Sequence, residues 1–360
     1  MKAISFILLL LVSNSVFAKK LRDYTPYKYE VLFTNPVCKE YKYSTPLKSN
    51  SGKLVYGKTK NSYCKSSDSS VSGRRKNSPH YRLIEWIKDP STTEIFMAYL
   101  SFSKRSIAKE LCKAVEQRNV KITLVMDSNN LPEDGDNSNG RMSTAYYLKK
   151  CRPKNLTEGE TPNLPRVYTR GGTGRGRNKT GYAHNKLFFV NPSSATATKI
   201  VFSSGNMSSG TVTHHENWNF VTTSSETYFA QSHKCLMKGM ISHSQDIATY
   251  TNFINTCQSK IKIAPESDIS VYFIPGDGTD AYKQIKTAIN TSKSVDLISH
   301  RFSNSTIIEN LTTKLEDTRK PKVRFIGDDD LYWTSVYRKG MGRNTTFEWY
   351  KIRDLINVGM

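Results

Sequence analysis

A strand–helix–strand pattern occurs twice in this chain, and the two copies lie about two hundred residues apart. Each copy reads as an apolar strand, a helix with one apolar face and a second apolar strand. The segments are residues 94–102, 106–117 and 121–126 in the first copy, and 295–302, 305–315 and 322–326 in the second. The shared order and near-constant offset favour a duplicated domain. Strands that alternate with helices predict parallel pairing and an α/β sandwich.

The chain is strongly basic, with 53 Lys and Arg against 31 Asp and Glu and a net charge of +22. Its hydrophobic content of 37% and aromatic content of 11% are too high for a disordered basic tail. Only one apolar stretch, at the very start, could meet a membrane, which excludes a polytopic membrane protein. The expected partners of a folded protein with this charge are polyanions or anionic surfaces.

The first eighteen residues have the form of a secretory signal peptide. Lys2 gives a positive start, residues 4–12 are apolar, and small residues precede a cleavage site after Ala18. The expected location is therefore secreted or periplasmic, with a retained N-terminal anchor as the alternative. The rest of the chain is divided into a basic, irregular N-terminal extension (19–80), a first domain (81–262) and an incomplete second repeat (263–360).

The six cysteines are an even number, which fits an oxidising compartment. Pairing of sequence neighbours is the prediction, and the pairs are Cys38–Cys64, Cys112–Cys151 and Cys235–Cys257. No two cysteines have the close spacing of a zinc site. His214 and His215 are adjacent, but no carboxylate or cysteine pattern accompanies them. We therefore expect neither a metal ion nor another cofactor.

A basic pair, His184 and Lys186, stands at the start of an apolar strand. Residues two apart on a strand point to the same face. After a short hairpin, a second strand at residues 199–202 leads into Ser204 and Asn206. Pairing of the two strands would bring all four side chains to one rim. An imidazole there could attack phosphorus, while the ammonium and amide groups stabilise charge on its oxygens.

These residues resemble the His-x-Lys-x4-Asp motif of the phospholipase D superfamily, with its later Gly-Ser-x-Asn and Glu. His184 and Lys186 match the first part, Ser204 and Asn206 match the second, and Glu216 lies near the position of the acidic residue. The resemblance covers the chain from about residue 82 onward. It implies an α-β-α sandwich with one complete repeat, followed by an incomplete second one.

The sequence departs from the superfamily pattern at two positions. Asn191 stands where the family has Asp, and Ser203 stands where it has Gly. The family's Asp is usually a structural partner and not the nucleophile. Asn191 is therefore expected to affect stability or rate more than the type of reaction.

The resemblance also implies a two-step displacement that needs no metal ion. His184 would form a covalent phosphohistidine, Lys186 and Asn206 would hold the non-bridging oxygens, and Glu216 would orient the imidazole. A second histidine from the other motif would protonate the leaving oxygen and then activate water. The predicted substrate-binding residues are Ser204, Arg175 and Arg177, the two arginines lying in an Arg/Gly-rich stretch read as a flexible cationic loop.

The second motif does not occur in the sequence. His184 lies 57 residues after Asp127, and the same interval after Asp328 falls near position 385, beyond Met360. After His300 the chain contains no histidine. His300 itself is expected to be a structural histidine, with a place lining the cleft as the alternative. Either the chain is a truncated two-motif enzyme, or a homodimer brings two copies of His184 together.

The motif predicts phosphodiester chemistry without naming the substrate. Export, the basic surface and the two-repeat plan favour hydrolysis of phospholipids at a membrane surface. The net charge and the Arg-rich stretch favour a metal-independent endonuclease that acts on DNA or RNA. A catalytically weak polyanion-binding protein is the third hypothesis, for which Asn191 and the missing second motif are the arguments.

Overall fold

The computed structural model describes residues 27–34, 47–48, 54–55, 74–128, 143–171, 183–243, 246–317, 321–327, 331 and 348–360. This part of the chain forms two compact units. The first ends at Val271, and the second runs from Tyr272 to the last residue and includes the strands at 47–48 and 54–55. The predicted signal peptide and its cleavage site lie outside the described residues.

A seven-stranded mixed sheet forms the centre of the first unit. The seven strands of this sheet are β1 (Lys28–Phe33), β4 (Glu94–Tyr99), β5 (Lys121–Asp127), β6 (Arg166–Arg170), β7 (Lys186–Val190), β8 (Ala197–Ser203) and β9 (Asn217–Ser224). Two further strands, β2 (Leu47–Lys48) and β3 (Leu54–Val55), pair with each other and belong to the second unit. The order in the large sheet is β1-β9-β8-β7-β4-β5-β6. The helices are α1 (Pro79–Lys88), α2 (Arg105–Arg118), α3 (Thr144–Lys149), α4 (Tyr228–Ser242) and α5 (Ile247–Ser259), with a 3-10 turn at Gly210–Thr213.

Helices cover both faces of this sheet. Successive side chains of a strand point to opposite faces, and consecutive residues of the central strands β4 and β7 are buried, so each face needs a covering layer. On one face, Trp86 of α1 packs edge-on against Phe220 of β9, with ring centroids 5.1 Å apart. On the other face, Phe189 of β7 meets His233 of α4 at 6.3 Å. The architecture is therefore the α/β sandwich that the sequence predicts, with helices on either side of a central sheet.

The first predicted strand–helix–strand unit is confirmed as β4, α2 and β5. The two strands pair in parallel, from Glu94 opposite Lys121 to Tyr99 opposite Met126. Helix α2 buries the apolar face that the periodicity predicts. It ends at Asn119, whose left-handed conformation, with φ of 54°, closes the last turn.

The same pattern forms the core of the second unit. Its helices and strands are α6 (Gly278–Thr291), β10 (Ser294–Ser299), α7 (Ser305–Leu315), β11 (Lys322–Gly327) and α8 (Glu348–Asn357). Strands β10 and β11 pair in parallel around α7, as the second copy predicts. Leu311, Val323 and Leu355 are buried at the centre of this unit.

The predicted parallel pairing is confined to one part of the large sheet, and the hairpin predicted after His184 is confirmed as β7–β8. Parallel pairs join β4, β5 and β6, whereas β7, β8, β9 and β1 are antiparallel to their neighbours. A parallel neighbour needs a crossover of a dozen or more residues. The six-residue link from β7 to β8 is too short for one and closes a hairpin instead.

The prediction that residues 19–80 are irregular also needs correction. Within that range, β1 pairs with β9 along its whole length, from Lys28 opposite Thr222 to Phe33 opposite Asn217. Its sequence, KYEVLF, alternates apolar and polar residues over a short run between polar segments, so the signal was present but weak. The open edge of β9 supplies the backbone partners that stabilise it as a strand.

Two of the three predicted disulfides are confirmed, Cys112–Cys151 and Cys235–Cys257. Cys38 and Cys64 lie outside the described residues. The first bridge ties α2 to the end of α3, and the second ties α4 to α5. Among the described residues, no helix is both long enough and apolar enough to cross a membrane.

Candidate active site

Five of the predicted site residues lie at one edge of the large sheet, namely His184, Lys186, Ser204, Asn206 and Glu216. The parallel strands β4 and β5 end there, at Tyr99 and Asp127. Strand β7 runs the other way and begins at the same edge, with Lys186 opposite Tyr99. Strand β8 ends there at Ser203, which lies opposite Trp218 of β9. The tertiary structure therefore brings the His184 motif beside the segment that follows β8.

His184 and Lys186 are in direct contact, as their spacing predicts. The Lys186 Nζ lies 3.0 Å from His184 Nδ1 and donates to the His184 carbonyl oxygen at 3.0 Å. The pKa of His184 is lowered, first by loss of water around the ring and then by the charge of Lys186, against an opposing effect of Asp127. The exposed imidazole is therefore neutral near pH 7, which is the form that attacks phosphorus.

Lys186 is half-buried at the start of β7. Burial lowers the pKa of Lys186 to about 8, and the negative charge of Glu216 opposes that shift. At neutral pH the group remains mainly an ammonium ion. It can therefore stabilise negative charge beside His184 in a partly desolvated place, where such a charge has most effect.

Asp127 is an acidic residue of this site that sequence reasoning did not select. It is fully buried at the end of β5, and its Oδ2 accepts the backbone N–H of Ala183 at 2.8 Å. This bond fixes the residue just before His184. The sequence did contain a signal for this role, because Asp127 is a carboxylate at the end of an apolar strand that is expected to be buried. Such a group rarely stays buried without a hydrogen-bond partner.

Glu216 makes different contacts from those that the resemblance implies. Its Oε2 accepts a hydrogen bond from Ser204 Oγ at 2.6 Å, and its Oε1 lies 3.7 Å from His214 Nδ1. Neither contact is with His184, whose imidazole Glu216 was expected to orient. Burial alone would raise the pKa of Glu216, but hydrogen bonds from His214 and Ser204 and the charges of His214 and Lys186 lower it overall.

Ser204 therefore holds the Glu216 carboxylate by a hydrogen bond in this structure, although it was predicted to bind substrate. Its hydroxyl donates to the carboxylate and also accepts the backbone N–H of Asn217 at 3.0 Å. The turn between these residues is tight. At Gly205, a Cβ would stand 2.7 Å from Thr211 Cγ2 and 3.1 Å from Glu216 Cγ, so a glycine is required to keep the carboxylate in place.

Asn206 lies in the same turn. Its backbone carbonyl accepts a hydrogen bond from Thr211 Oγ1 at 2.6 Å. Its side-chain Oδ1 is buried and has no hydrogen-bond partner among the described residues. The amide is thus placed at the predicted rim, but no contact between it and His184 is present.

Thr34 is a second residue that sequence reasoning missed. This buried threonine follows β1 and makes four hydrogen bonds to the segment that carries His214 and Glu216, the weakest from its hydroxyl to the Glu216 carbonyl at 3.4 Å. Its hydroxyl donates to the His214 carbonyl at 2.5 Å and accepts the Glu216 N–H at 2.7 Å, and its own N–H donates to the Glu216 carbonyl at 2.9 Å. The sequence held no signal for this role, since it depends on β1 joining the sheet.

Asn191 follows the far end of β7, away from the edge that carries His184. It has φ of 54°, and its Oδ1 accepts the backbone N–H groups of Thr93 at 2.9 Å and Glu94 at 3.1 Å. Its Nδ2 donates to the carbonyl of Ser91 at 2.8 Å. An aspartate could not make this last bond, because a carboxylate has no N–H.

Arg175 and Arg177 lie outside the described residues. His300 follows β10 in the second unit. Within the described ranges, no group of three or more His, Cys, Asp or Glu side chains could hold a metal ion.

No protein-family model and no curated protein sequence matches the chain. Solved structures do match it. NucT from Helicobacter pylori is 17% identical, with a TM-score of 0.34, and the match covers 59% of this chain and 96% of that one. Nuc from Salmonella typhimurium, a phospholipase D family member, is 14% identical, with a TM-score of 0.36 and coverage of 62% and 99%.

Phosphatidylserine synthase from Haemophilus influenzae also matches, with 12% identity and a TM-score of 0.45. That match covers 87% of this chain and 66% of the synthase. Each of these proteins is similar to the chain in fold.

Proposed function

We propose that the chain is a phosphodiesterase of the phospholipase D superfamily, which acts through a covalent phosphohistidine on His184. The observation that carries this proposal is the contact of 3.0 Å between Lys186 Nζ and His184 Nδ1 at an open sheet edge. A neutral imidazole beside an ammonium ion combines a nucleophile with a stabiliser of phosphoryl charge.

The reaction has two steps. His184 attacks phosphorus and displaces the first oxygen, while Lys186 and Asn206 stabilise charge on the non-bridging oxygens. Water then attacks the phosphohistidine, and the P–N bond breaks. Asp127 acts indirectly, because its bond to Ala183 at 2.8 Å fixes the backbone that presents the imidazole.

The proposed substrate is a phospholipid at a membrane surface. Three features support this choice: the expected export, the net charge of +22, which favours anionic bilayers, and an exposed aromatic side chain near the site. Phe33 is 61% exposed and directly precedes Thr34, which binds the segment of Glu216. An apolar ring at this position could contact acyl chains.

Nucleic acid is the second candidate substrate, and the same net charge supports it. Binding of a phosphate backbone is dominated by Lys and Arg. Arg175 and Arg177 are proposed to contact substrate in either case. A cleavage site for DNA or RNA would use the same His184 and Lys186.

We propose that the protein acts outside the cytoplasm. The signal-like start of the sequence supports export, and the bridges Cys112–Cys151 and Cys235–Cys257 fit an oxidising compartment. Intact-mass analysis of the exported protein tests this proposal. The expected mass is that of a chain that begins at Lys19. A mature protein that still begins at Met1 would contradict it.

The proposed function is tested with purified protein in EDTA, given phosphatidylcholine/phosphatidylglycerol vesicles and, separately, single- and double-stranded DNA. Release of phosphatidic acid by the wild type but not by His184→Ala is the expected result. DNA cleavage without lipid turnover would instead establish the second candidate. If neither substrate is turned over, or if His184→Ala remains active, the phosphohistidine mechanism is wrong.

A further inference from the structure

We propose that Thr34 is a positioning residue, whose hydroxyl holds Glu216 where the negative charge of that carboxylate acts on Lys186. This inference rests on the proposed function, since it concerns the same site. Thr34 follows β1 and lies well before residue 82, where the resemblance to the phospholipase D superfamily begins. A strand from outside the resemblance therefore contributes to the geometry of the site.

The Thr34 hydroxyl joins two backbone groups of one short segment. It donates to the His214 carbonyl oxygen at 2.5 Å and accepts the N–H of Glu216 at 2.7 Å. A hydroxyl can do both at once, because it carries one proton and two lone pairs. Thr34 is only 5% exposed, so removal of the hydroxyl would leave buried backbone groups without this partner.

The backbone of Thr34 continues the pairing of β1 with β9 by one residue. Phe33 ends β1 and lies opposite Asn217, the first residue of β9. The Thr34 N–H then donates to the Glu216 carbonyl oxygen at 2.9 Å. The N–H and the carbonyl of Glu216 are therefore both bonded to Thr34, which fixes the point at which the carboxylate side chain leaves the backbone.

The charge of Glu216 acts on Lys186. Burial lowers the pKa of Lys186 to about 8, and the negative charge of Glu216 opposes that shift. Ser204 donates to one oxygen of the carboxylate at 2.6 Å, and His214 Nδ1 lies 3.7 Å from the other. These contacts orient the end of the side chain, whereas Thr34 fixes its backbone.

Ionisable groups from three elements of the described structure face Lys186. His184, just before β7, is 3.0 Å from its Nζ and is neutral near pH 7, and Tyr99 lies opposite it on β4. Burial raises the pKa of Tyr99, whose phenol therefore stays uncharged. Glu216, in the connection before β9, supplies a negative charge that favours the ammonium form. Displacement of Glu216 should therefore make Lys186 lose its proton at a lower pH.

The test compares Thr34→Val, which removes the hydroxyl and keeps the shape of the side chain, with Thr34→Ser, which keeps the hydroxyl. Thr198→Val is the matched control. Thr198 is also buried, and its hydroxyl also donates to a backbone carbonyl, that of Val190, at 2.6 Å. It lies near the start of β8, whereas Ser203 at the other end of that strand leads to the site.

The first readout is the pKa of Lys186, measured by NMR titration of isotope-labelled lysine side chains and assigned with Lys186→Met. Thr34→Val should lower this pKa, as Glu216→Gln should. Thr34→Ser and Thr198→Val should keep the wild-type value. In a Glu216→Gln background, Thr34→Val should cause no further shift, because Thr34 acts through Glu216. This measurement does not depend on turnover.

The second readout is kcat/KM on a soluble diester as a function of pH. We expect Thr34→Val to lose about tenfold or more, because a charged group of the site is displaced. The alkaline limb of its profile should move to lower pH, since Lys186 loses its proton earlier. Thr34→Ser should regain most of the rate. A general loss of stability would instead leave the limb in place.

Two results would overturn the assignment: a Lys186 pKa in Thr34→Val equal to that of the wild type, or the same lowering in Thr198→Val. A lowered pKa in Thr34→Ser would overturn it as well, even if Thr34→Val failed to fold. In each case the proposed function survives, provided that the wild type is active and His184→Ala is not. If the wild type is inactive on every diester while Thr34→Val lowers the Lys186 pKa, the proposed function fails and the positioning of Glu216 stands.

Discussion

At the scale of single residues, the site depends on charges placed close together in a partly desolvated edge. Lys186 lies 3.0 Å from His184 Nδ1, and its charge helps to hold the pKa of the imidazole below the ordinary value of 6.5. The arrangement keeps His184, the proposed nucleophile, neutral and Lys186, the proposed stabiliser, charged. This division of protonation states is what a phosphoryl acceptor requires.

The first prediction concerns the pKa of His184. In Lys186→Met, removal of the positive charge should raise the pKa of His184 toward 6.5, because one of the two causes of the lowering is lost. The wild-type ring therefore becomes protonated at a lower pH than the ring of the variant. NMR titration of the His184 ring, assigned with His184→Ala, measures the shift. A pKa that stays the same or falls would contradict the proposed coupling.

The second prediction concerns Asn191. Asn191→Asp should destabilise the protein by about 1 kcal/mol, because the donor to the Ser91 carbonyl is lost while both acceptor contacts remain. Asn191→Ala should cost more, about 2–3 kcal/mol, since two N–H groups lose their partner and φ of 54° becomes strained.

Urea unfolding of both variants measures these differences. The value of kcat should stay unchanged in Asn191→Asp, because Asn191 lies at the opposite end of β7 from Lys186. A large loss of kcat with normal stability would show instead that this residue takes part in the chemistry.

At the scale of elements, the turn between β8 and β9 decides the geometry of the site. It places Ser204, Asn206, His214 and Glu216 within one connection, which Thr34 ties to the end of β1. A hairpin turn can be read from sequence, but the contacts across this longer connection cannot. They depend on which strand lies at its side.

The third prediction uses two glycines of that connection. In Gly205→Ala the new Cβ would clash with Thr211 Cγ2 at 2.7 Å and press on Glu216 Cγ at 3.1 Å. We expect kcat/KM to fall about tenfold or more as the Glu216 carboxylate is displaced. Gly210→Ala is the control, since a Cβ there meets nothing within 4 Å. Equal activity of the two variants on a soluble diester would count against the proposed role of this turn.

The fourth prediction concerns the disulfides that tie helices together. The Cys112–Cys151 bridge closes a separation of 39 residues and the Cys235–Cys257 bridge one of 22. By loop-closure entropy, double Ala variants should lose about 4 and about 3 kcal/mol respectively. Urea unfolding of the two double variants measures the losses. Stability equal to that of the wild type in either case would refute the expectation for that bridge.

At the scale of the whole molecule, the dominant property is a net charge of +22. Such a charge attracts polyanions over the whole surface, whereas the proposed turnover depends on a few side chains at one sheet edge. Removal of the proposed nucleophile should therefore abolish turnover without a change in the affinity for polyanions.

The fifth prediction follows from that separation. His184→Ala should bind DNA and anionic vesicles with wild-type affinity while it loses turnover. For both proteins the affinity for DNA should fall steeply between about 50 and about 200 mM salt, as counterion release requires. Fluorescence anisotropy with labelled DNA measures this. An affinity that is insensitive to salt would show that the net charge does not drive binding.

Several features of the fold could be predicted from the sequence because they depend on neighbours along the chain. The apolar strands and the amphipathic face of α2 follow from side-chain periodicity, and they appear as β4, α2 and β5. The contact between His184 and Lys186 follows from their spacing of two on an extended chain. The two confirmed disulfides join cysteines that are neighbours in the sequence.

The tertiary structure decided the features that depend on residues far apart in the chain. The antiparallel half of the sheet, the edge strand β1 and the bond from Asp127 to Ala183 all require a particular strand order. The contacts of Glu216 with Ser204 and His214 also depend on the tertiary structure. The sequence by itself determined which groups are available, since chemistry and periodicity are local. Their meeting at one edge depended on the tertiary structure, because contacts between distant residues arise only when the strands that carry them lie side by side.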